Sequence, residues 1–465
     1  MAESVLARIR RDLPALLLLA LAILLALALH LAGERSLVTA GILVVFTVSA
    51  WAVGLFIEPI TSLVFFLFAI LFHIARPETV LSGFVSQAWW LVFGGAIIGI
   101  AIDTTGLGQR LASALFGRAG SSYASAVTAV GLAGVGLAFL MPATTGRVLM
   151  LLPIVIAFAD AIGFAPGSRG RTGLVLTMAA TTFMPPTTIL PANVPNNVLL
   201  GAAETLYGVK LTYGPYLLLH FPILGALKTG LIIWLAARLF VDTPRPKPQQ
   251  DRPASPPLSR PELLLAAILA LALLLFATDS LHGISPAWVS LGAGILCLLP
   301  SAGLVAPKQL SERINIGTLV YVAGFLGLGA VVSDSGLGTL LSRELLAVAG
   351  FVPGDGGRNA ALLVAIGIGV GFITTLPGVP AVLTPLAKDL AEASGLPLLS
   401  VLMLEVVAFG ILFLPYQSPP MMIAMHLAGV PIRAGTKLCL AVAAVTVVVL
   451  LPLDLLWWRW LGYLP

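Results

Sequence analysis

Long apolar runs alternate with short polar or basic stretches along the whole chain. The pattern predicts an all-α polytopic membrane protein with about 11 transmembrane helices, because each run can cross the hydrocarbon core of a bilayer. The predicted spans are 13–33, 38–57, 60–76, 86–104, 172–204, 213–240, 262–278, 286–301, 317–334, 398–428 and 434–455. The first of them, "LPALLLLALAILLALALHLAG", has full spanning length and no clear small-residue cleavage site after it, so we expect a span and not a removable signal peptide.

Two further apolar segments, 121–161 and 358–393, are too long for one span and are interrupted near the middle by Pro, Gly and Thr. We predict that each forms a re-entrant hairpin. Non-helical backbone at membrane depth is tolerated where protein or water covers it. The tips of both hairpins are therefore expected to be covered by protein or water.

The two halves of the chain show the same order of elements. The segments "LVFGGAIIGIAIDTTGLGQRLASALFG" (91–117) and "LVYVAGFLGLGAVVSDSGLGTLLSREL" (319–345) both place an acid, a small polar residue and "GLG" after an apolar run. Five crossings in each half make the second half inverted relative to the first. Inverted repeats with hairpins and broken helices are typical of secondary transporters with a site near the midplane. The alternative is a duplicated helical bundle without transport.

The predicted organisation has four parts: an extra N-terminal span (1–35), a first repeat (36–240), a Pro-rich charged cytoplasmic linker (241–261) and a second repeat (262–465). Basic residues at positions 8, 10 and 11 place the N-terminus in the cytoplasm by the positive-inside rule. We expect a multi-pass protein of a bacterial inner membrane.

Composition supports the membrane class and argues against others. The chain is 59% hydrophobic and 10% charged, whereas a soluble domain carries about 25% charged residues. The net charge of +5 fits basic cytoplasmic loops and does not suggest nucleic acid. Cys297 and Cys439 are too few for a disulfide framework or a zinc site. The chain contains no HExxH motif and its five histidines are scattered, so no enzyme and no cofactor are predicted.

Arg147 stands in the first hairpin, in "MPATTGRVLMLLPI" (141–154). An arginine inside a bilayer is costly and usually faces a partner or a water-filled path. One interpretation is a side chain that snorkels to the cytoplasmic surface. The other is a fixed cation at an anion site, where a guanidinium can hold a carboxylate or sulfonate through two hydrogen bonds. We favour the second, with Thr144 and Thr145 beside it.

Prolines interrupt two of the predicted spans, at "FMPPTTILPANVPNN" (183–197) and "FLPYQSPPMMIA" (413–424). Proline blocks continuous helix, and a restarting half-helix attracts anions through its free amides and dipole. The side chains expected to bind substrate at these interruptions are Thr187, Thr188, Asn196, Asn197, Gln417 and Ser418, with Thr374 and Thr375 at the tip of the second hairpin. Asn193 is a further polar group, and Met421 makes the second interruption more apolar.

Two other intramembrane charges are candidates for coupling. Lys228 could exchange protons or snorkel, and Glu405 could carry protons or pair with a basic residue. The tryptophans at 457, 458 and 460, with Tyr463, are predicted to form an interfacial belt.

Five features occur in a fixed order along the chain: "FIEPITSLVFFLFAIL" (56–71), the paired "GLG" spans, "TTGRVLMLLPI" (144–154), "PPTTILPANVPNNVLL" (185–200) and "FLPYQSPPMMIA" (413–424). In the order and spacing of these features the chain resembles the divalent anion:sodium symporter family. The resemblance implies a homodimer that works as an elevator, with small anionic substrates and sodium bound at two Ser-Asn-Thr hairpin tips.

The chain departs from that family at both tips. The Ser-Asn-Thr positions fall on Ala143, Thr144 and Thr145 in the first hairpin and on Thr375, Leu376 and Pro377 in the second. Sodium near Thr145 and Thr375 therefore has fewer side-chain oxygens available. The expected function is transport of small divalent organic or inorganic anions of the dicarboxylate, sulfonate or sulfate class, coupled to sodium, protons or anion exchange. The alternative is a cation/proton antiporter or oxyanion exporter of the same superfamily.

Overall fold

The computed structural model describes residues 16, 19–20, 23–24, 27, 37–53, 55–117, 122–141, 143–243, 257–352, 354–374 and 376–465. Most of the predicted first span, much of the linker and Thr375 lie outside the described residues. Every regular element in the described part is a helix. The all-α prediction is therefore confirmed.

The first half of the chain contains α-helices, one 3₁₀ helix and one π-helical segment. The α-helices are Leu37–Val53, Glu58–Leu71, Pro77–Val80, Ser82–Val85, Gln87–Thr105, Leu107–Gly117, Tyr123–Ala138, Thr144–Ala161, Arg169–Thr181, Val194–Tyr207, Tyr213–His220 and Lys228–Leu239. The 3₁₀ helix is Pro185–Thr188 and the π-helical segment is Phe221–Leu227.

The second half contains the same sequence of longer elements. Its α-helices are Arg260–Ala277, Asp279–His282, Pro286–Leu298, Pro307–Arg313, Ile316–Asp334, Leu337–Ala349, Gly356–Ile373, Gly378–Leu383, Ala387–Ser394, Leu398–Phe409, Pro419–Leu427, Ile432–Val445 and Leu451–Trp460. The 3₁₀ helices are Thr384–Leu386 and Pro415–Gln417, and the π-helical segment is Thr446–Leu450.

Each half contains one helical hairpin and one interrupted helix. Hairpin 1 consists of Tyr123–Ala138 and Thr144–Ala161, and hairpin 2 of Gly356–Ile373 followed by the helical segments of 378–394. Break 1 is the interruption at 182–193, and break 2 is the interruption at 410–418. The structure thus contains both predicted hairpins and both predicted broken helices.

Seven described helices are long and apolar enough to span a membrane unaided: Gln87–Thr105, Thr144–Ala161, Tyr213–Leu239, Arg260–Ala277, Ile316–Asp334, Gly356–Ile373 and Ile432–Trp460. An eighth is added if the pair 378–394 and 398–409, bent by 120°, counts as one span. The predicted count of about 11 is not confirmed, because broken helices and shorter apolar helices do not reach spanning length as single elements.

The paired "GLG" segments adopt the same local structure. Gly106 and Gly336, the first glycine of each segment, both have φ of +77°. This left-handed conformation is accessible to glycine at no steric cost and ends or redirects a helix. In each half it separates a long helix from a shorter amphipathic one, Leu107–Gly117 in the first half and Leu337–Ala349 in the second.

The two halves pack in an exchanged arrangement, in which each of two equivalent helix pairs takes one helix from each half. Gln87–Thr105 of the first half packs on Pro286–Leu298 of the second, and Ile316–Asp334 of the second half packs on Glu58–Leu71 of the first. Small residues allow the backbones to approach closely, as is common between membrane helices. A Cβ on Gly94 would lie 2.6 Å from the Leu291 nitrogen.

The hairpins pack around the breaks through contacts both within and between the two halves. The first arm of each hairpin packs on the helix that leads into the break of its own half, and the second arm packs on a helix that follows the break of the other half. The helix Thr144–Ala161 contacts Pro419–Leu427, while Gly378–Leu383 contacts Val194–Tyr207. Each break is therefore enclosed by elements from both halves.

Close contact at Gly94 gives a test of this packing. Gly94→Ala should destabilise the protein by about 1–3 kcal/mol, because the added methyl group would meet backbone atoms that cannot move away. Gly99→Ala is the matched control on the same helix, since nothing lies within 4 Å of its Cβ position. Thermal unfolding in detergent should show a lower Tm for Gly94→Ala alone. Equal Tm values for the two variants would contradict the described contact between the halves.

Candidate functional site at the two helix breaks

Break 1 begins where the helix Arg169–Thr181 ends and finishes where Val194–Tyr207 begins. Four prolines in and around it prevent one continuous helix, because proline lacks an amide hydrogen and clashes with the preceding turn. Every side chain from 182 to 193 is buried. The backbone groups freed by the interruption must therefore find partners inside the protein.

Arg147 donates hydrogen bonds to two backbone carbonyls, one at the tip of hairpin 1 and one at the start of break 1. Its guanidinium donates hydrogen bonds to the carbonyl oxygen of Met141 and, over 2.9 Å, to that of Thr182. It also donates to the Thr144 hydroxyl over 3.1 Å. The side chain is 0% exposed, and none of the ion pairs in the described part of the chain includes it. Arg147 thus joins the tip of hairpin 1 to the start of break 1 and does not extend to a surface.

Thr144 and the asparagines complete break 1. The Thr144 hydroxyl donates to the Ala192 carbonyl over 3.3 Å, and Asn196 donates to the Ile189 carbonyl over 2.8 Å. The amide oxygens of Asn193, Asn196 and Asn197 have no hydrogen-bond partner in the described structure. Buried polar groups without a partner are uncommon and often mark a binding site. Break 1 therefore keeps polar capacity for a ligand.

The threonine hydroxyls of break 1 donate hydrogen bonds to backbone carbonyls three residues earlier. The hydroxyls of Thr187 and Thr188 donate to the carbonyls of Met184 and Pro185 over 2.7 and 2.6 Å. Such local bonds stabilise the 3₁₀ turn. A hydroxyl that donates still has lone pairs to accept with.

Break 2 is fastened to hairpin 2 by Gln417. Its amide nitrogen donates to the Gly371 carbonyl over 2.8 Å, and its amide oxygen accepts from the amides of Phe413 and Leu414 over 3.0 and 2.9 Å. The Leu376 amide donates to the Gln417 carbonyl over 3.2 Å. The neutral amide of Gln417 thus joins break 2 to hairpin 2, as the guanidinium of Arg147 joins break 1 to hairpin 1.

Other predicted groups of the second half lie around this contact. The Ser418 hydroxyl is buried without a partner in the described structure. The Thr374 hydroxyl donates to the Val370 carbonyl over 2.9 Å. Met421 is buried and its sulfur lies 3.7 Å from the Cys439 sulfur, so this side of the site is apolar.

Lys228 reaches break 2 from the first half. Its ammonium donates to the Gly410 carbonyl over 2.7 Å, and its side chain is 1% exposed. A Cβ on Gly410 would lie 3.1 Å from the Thr187 hydroxyl oxygen. The Tyr216 hydroxyl donates to the Thr187 carbonyl over 2.7 Å. Breaks 1 and 2 therefore meet at Gly410 and Thr187, with Lys228 at their junction.

The same electrostatic arrangement occurs at both breaks. Thr182 and Gly410 each follow the end of a helix, where free carbonyls create partial negative charge. Each of these carbonyls accepts a hydrogen bond from a buried side-chain cation, Arg147 at the first and Lys228 at the second. The sequence showed both cations within apolar segments, but their partners are distant in sequence and could not be read from it.

Several predicted residues lie away from these contacts. The Thr145 side chain is exposed beside the tip of hairpin 1. Glu405 accepts a hydrogen bond from the Thr384 hydroxyl over 2.8 Å, and Tyr207 donates to the Thr384 carbonyl over 2.7 Å. Thr375 is outside the described residues.

One aromatic prediction is wrong in part. Trp458 is fully buried, with its ring centroid 5.4 Å from that of His220, and does not belong to an interfacial belt. The helix Leu451–Trp460 presents one side to the protein interior, so neighbouring tryptophans on it have different surroundings. Trp460, on its outer side, is 75% exposed. Asp454, one turn before Trp458, was missed and is also fully buried.

The paired hairpins, exchanged packing and enclosed helix breaks define a polytopic membrane transporter of the secondary type. The chain belongs to the sodium:sulfate symporter family, since residues 11–464 match that family's transmembrane region. The sequence-level resemblance to divalent anion:sodium symporters is therefore confirmed.

Individual relatives are distant in sequence. The chain is 24% identical over 400 residues to a membrane protein of Cupriavidus necator, covering 82% of this chain and 77% of that protein. It is 25% identical over 342 residues to the inner membrane protein YbhI of Escherichia coli, covering 70% and 69% of the two chains.

Two solved transporters share the fold. The Alcanivorax borkumensis YdaH transporter, described as having an unusual topology, aligns with a TM-score of 0.55 and 19% identity over 83% of this chain and 88% of its own. Neisseria gonorrhoeae MtrF, described within a class of antimetabolite efflux pumps, aligns with a TM-score of 0.53 and 13% identity over 84% of each chain. At these identities the likeness concerns the fold.

Removal of the Arg147 guanidinium should weaken break 1. We expect Arg147→Met to lower the free energy of unfolding by about 3 kcal/mol or more. Hydrogen bonds from a charged donor contribute about 1.5–3 kcal/mol each, and two buried carbonyls lose that donor. Arg147→Lys should have a smaller effect, since an ammonium can still serve one carbonyl. Arg343→Met, at an exposed arginine, is the control. Thermal unfolding in lipid nanodiscs measures the difference, and an unchanged Tm for Arg147→Met would show that the guanidinium does not hold the hairpin to the break.

Proposed function

We propose that this chain is a secondary active transporter of small divalent anions of the dicarboxylate, sulfonate or sulfate class. The observation that carries the proposal is the buried guanidinium of Arg147, which has no carboxylate counter-ion in the described structure and lies at the interruption of a membrane helix. A permanent buried cation favours an anionic ligand.

The proposed anion site lies between Arg147 and the restarting helix Val194–Tyr207. The first amides of that helix lack intrahelical partners and carry the positive end of its dipole. The Arg147 Nε atom has no partner in the described structure and can donate to an anion. The amides of Asn196 and Asn197 can rotate to present N–H groups. Ser418 supplies a hydroxyl from the opposite break.

The proposed movement is of the elevator type. Hydrogen bonds and close contacts tie both hairpins, both breaks and the helix that carries Lys228 into one unit. In this proposal the helix pairs that join the two halves, such as Gln87–Thr105 with Pro286–Leu298, serve as the scaffold along which the unit moves. Scaffolds of two copies would meet in a homodimer, with the N-terminus in the cytoplasm of an inner-membrane protein.

Sodium is not required in the proposed cycle. A sodium ion at the start of either break would meet the resident guanidinium or ammonium, and like charges at short distance repel strongly in a medium of low dielectric constant. The two side-chain cations supply the charge that a co-transported sodium ion would bring. The same repulsion argues against transport of a cation through these breaks.

Uptake into proteoliposomes tests the proposed function. We expect radiolabelled succinate, sulfate or sulfoacetate to accumulate, with the same initial rate whether sodium or potassium is present on both sides. A sodium requirement would contradict the proposed independence, and failure of all three anions to move would contradict the substrate class.

Ser418→Ala and Asn197→Ala separate the proposed site from the rest of the fold. Each variant should raise KM by roughly tenfold, because loss of one hydrogen bond to a charged ligand costs about 1.5–3 kcal/mol. Ser301→Ala, at an exposed loop position, is the matched control for serine. Unchanged KM values in both site variants would place the anion elsewhere.

A further inference from the structure

The last helices of the two halves share an unusual feature. Each contains a π-helical segment, Phe221–Leu227 in the first half and Thr446–Leu450 in the second, and the two segments contact each other. Such segments are rare and occur frequently at functional sites. Directly after the first stands Lys228, and four residues after the second stands Asp454.

Asp454 carries a carboxylate that is fully enclosed by the protein. Its side chain is 0% exposed and neither carboxylate oxygen has a partner in the described structure. Trp458 follows one helical turn later, and its buried indole nitrogen has no partner in the described structure either. The helix Leu451–Trp460, which carries Asp454, contacts the π-helical segment Phe221–Leu227 that ends directly before Lys228. The ammonium and the carboxylate are therefore close enough to interact electrostatically. An ionised carboxylate in this position is costly unless the lysine compensates it.

His220 is the titratable neighbour of this pair. It is 0% exposed, both ring nitrogens lack partners in the described structure, and its ring centroid lies 4.7 Å from that of Tyr216 and 5.4 Å from that of Trp458. His220 and Tyr216 lie on the helix Tyr213–His220, which packs on the helix of Asp454.

The titratable groups on the other elements that pack around Lys228 and Asp454 contact other residues. Helix Ile432–Val445 contributes the buried Cys439, which contacts Met421. Arg171 of Arg169–Thr181 pairs with Asp160 over 2.6 Å, and Arg169 donates to the Leu239 carbonyl at the far end of the helix that begins with Lys228. Tyr123 of Tyr123–Ala138 lies near Arg169 and Asp242 at that same end.

We propose that Asp454 is the proton-binding site that couples anion transport to a proton gradient, with Lys228 as the group that transmits its state to the breaks. The inference rests on the proposed function and names its coupling ion. With Asp454 ionised, the carboxylate compensates the Lys228 ammonium. When a proton binds a carboxylate oxygen of Asp454, the group becomes neutral and the ammonium at the Gly410 carbonyl is left uncompensated.

Proton and anion then favour each other's binding. The Lys228 ammonium lies where breaks 1 and 2 meet, so its uncompensated charge attracts an anion in the proposed site between Arg147 and the helix Val194–Tyr207. Reciprocity of binding free energies requires that the bound anion, in turn, hold the proton on Asp454. Both leave together on the other side, and the bound anion compensates the Lys228 ammonium while Asp454 is neutral. The cycle moves a proton and an anion in the same direction.

Proteoliposomes with an enclosed pH-sensitive dye test this coupling. For wild type, an inward proton gradient should stimulate sulfate or succinate uptake by roughly tenfold and acidify the interior. Asp454→Asn cannot take up a proton, so both the stimulation and the acidification should be lost. Exchange of labelled for unlabelled anion should persist, because exchange needs no net proton movement and the amide resembles the neutral carboxyl group.

Two matched variants sharpen the test. Glu312→Gln, which removes an exposed carboxylate, should behave as wild type. His220→Gln should keep the acidification, because the proposal assigns the proton to Asp454. Acidification retained in Asp454→Asn, acidification lost in His220→Gln alone, or anion exchange lost in a correctly folded Asp454→Asn would each overturn the proposal.

A readout without transport separates this inference from the proposed function. Infrared difference spectra of the purified protein between two pH values should contain a protonated-carboxyl band that disappears in Asp454→Asn and remains in Glu312→Gln. If no anion is taken up but the band behaves this way, the transport proposal fails and the proton site stands. If anions are taken up without the band and without acidification, the proton site fails and the transport proposal stands.

Discussion

Backbone groups exposed by an interrupted helix inside a bilayer need protein partners, and this requirement organises the structure. Water is not available to them, and an unsatisfied buried carbonyl or amide costs free energy comparable to a lost hydrogen bond. The hairpin tips meet the need by lying against the breaks. Arg147 donates to the Thr182 carbonyl from hairpin 1, and Gln417 donates to the Gly371 carbonyl of hairpin 2. The folded position of each hairpin follows from these contacts.

The two breaks lie next to each other because helices of the two halves pack on one another. The side chains at the two breaks nevertheless differ in chemistry. Break 1 is lined by a guanidinium and three asparagines, whereas break 2 combines a neutral glutamine with the buried sulfur atoms of Met421 and Cys439. Lys228 brings a second cation to break 2 from the first half. The dianion of the proposed function would thus lie between the Arg147 guanidinium on one side and an apolar wall on the other.

Much of the fold could be predicted from sequence because membrane helices have strong local signals. Long apolar runs identified the helices, prolines identified both breaks, and the repeated "GLG" identified the equivalent positions Gly106 and Gly336. Prediction failed where orientation around a helix mattered. Trp458 was assigned to the membrane interface although it is buried beside His220, since adjacent aromatic residues on one helix point in different directions.

The sequence by itself determined the helical class, the repeat, the breaks and the presence of costly charges such as Arg147, Lys228 and Glu405 inside apolar segments, because these depend on residues near one another in the chain. Only the tertiary structure decided what those charges face. Lys228 donates to a carbonyl 182 residues away at Gly410, and the helix of Asp454 in the second half packs on the segment that precedes Lys228 in the first. Hydropathy and proline placement are local properties, whereas the partner of a buried charge is set by how two repeats pack together.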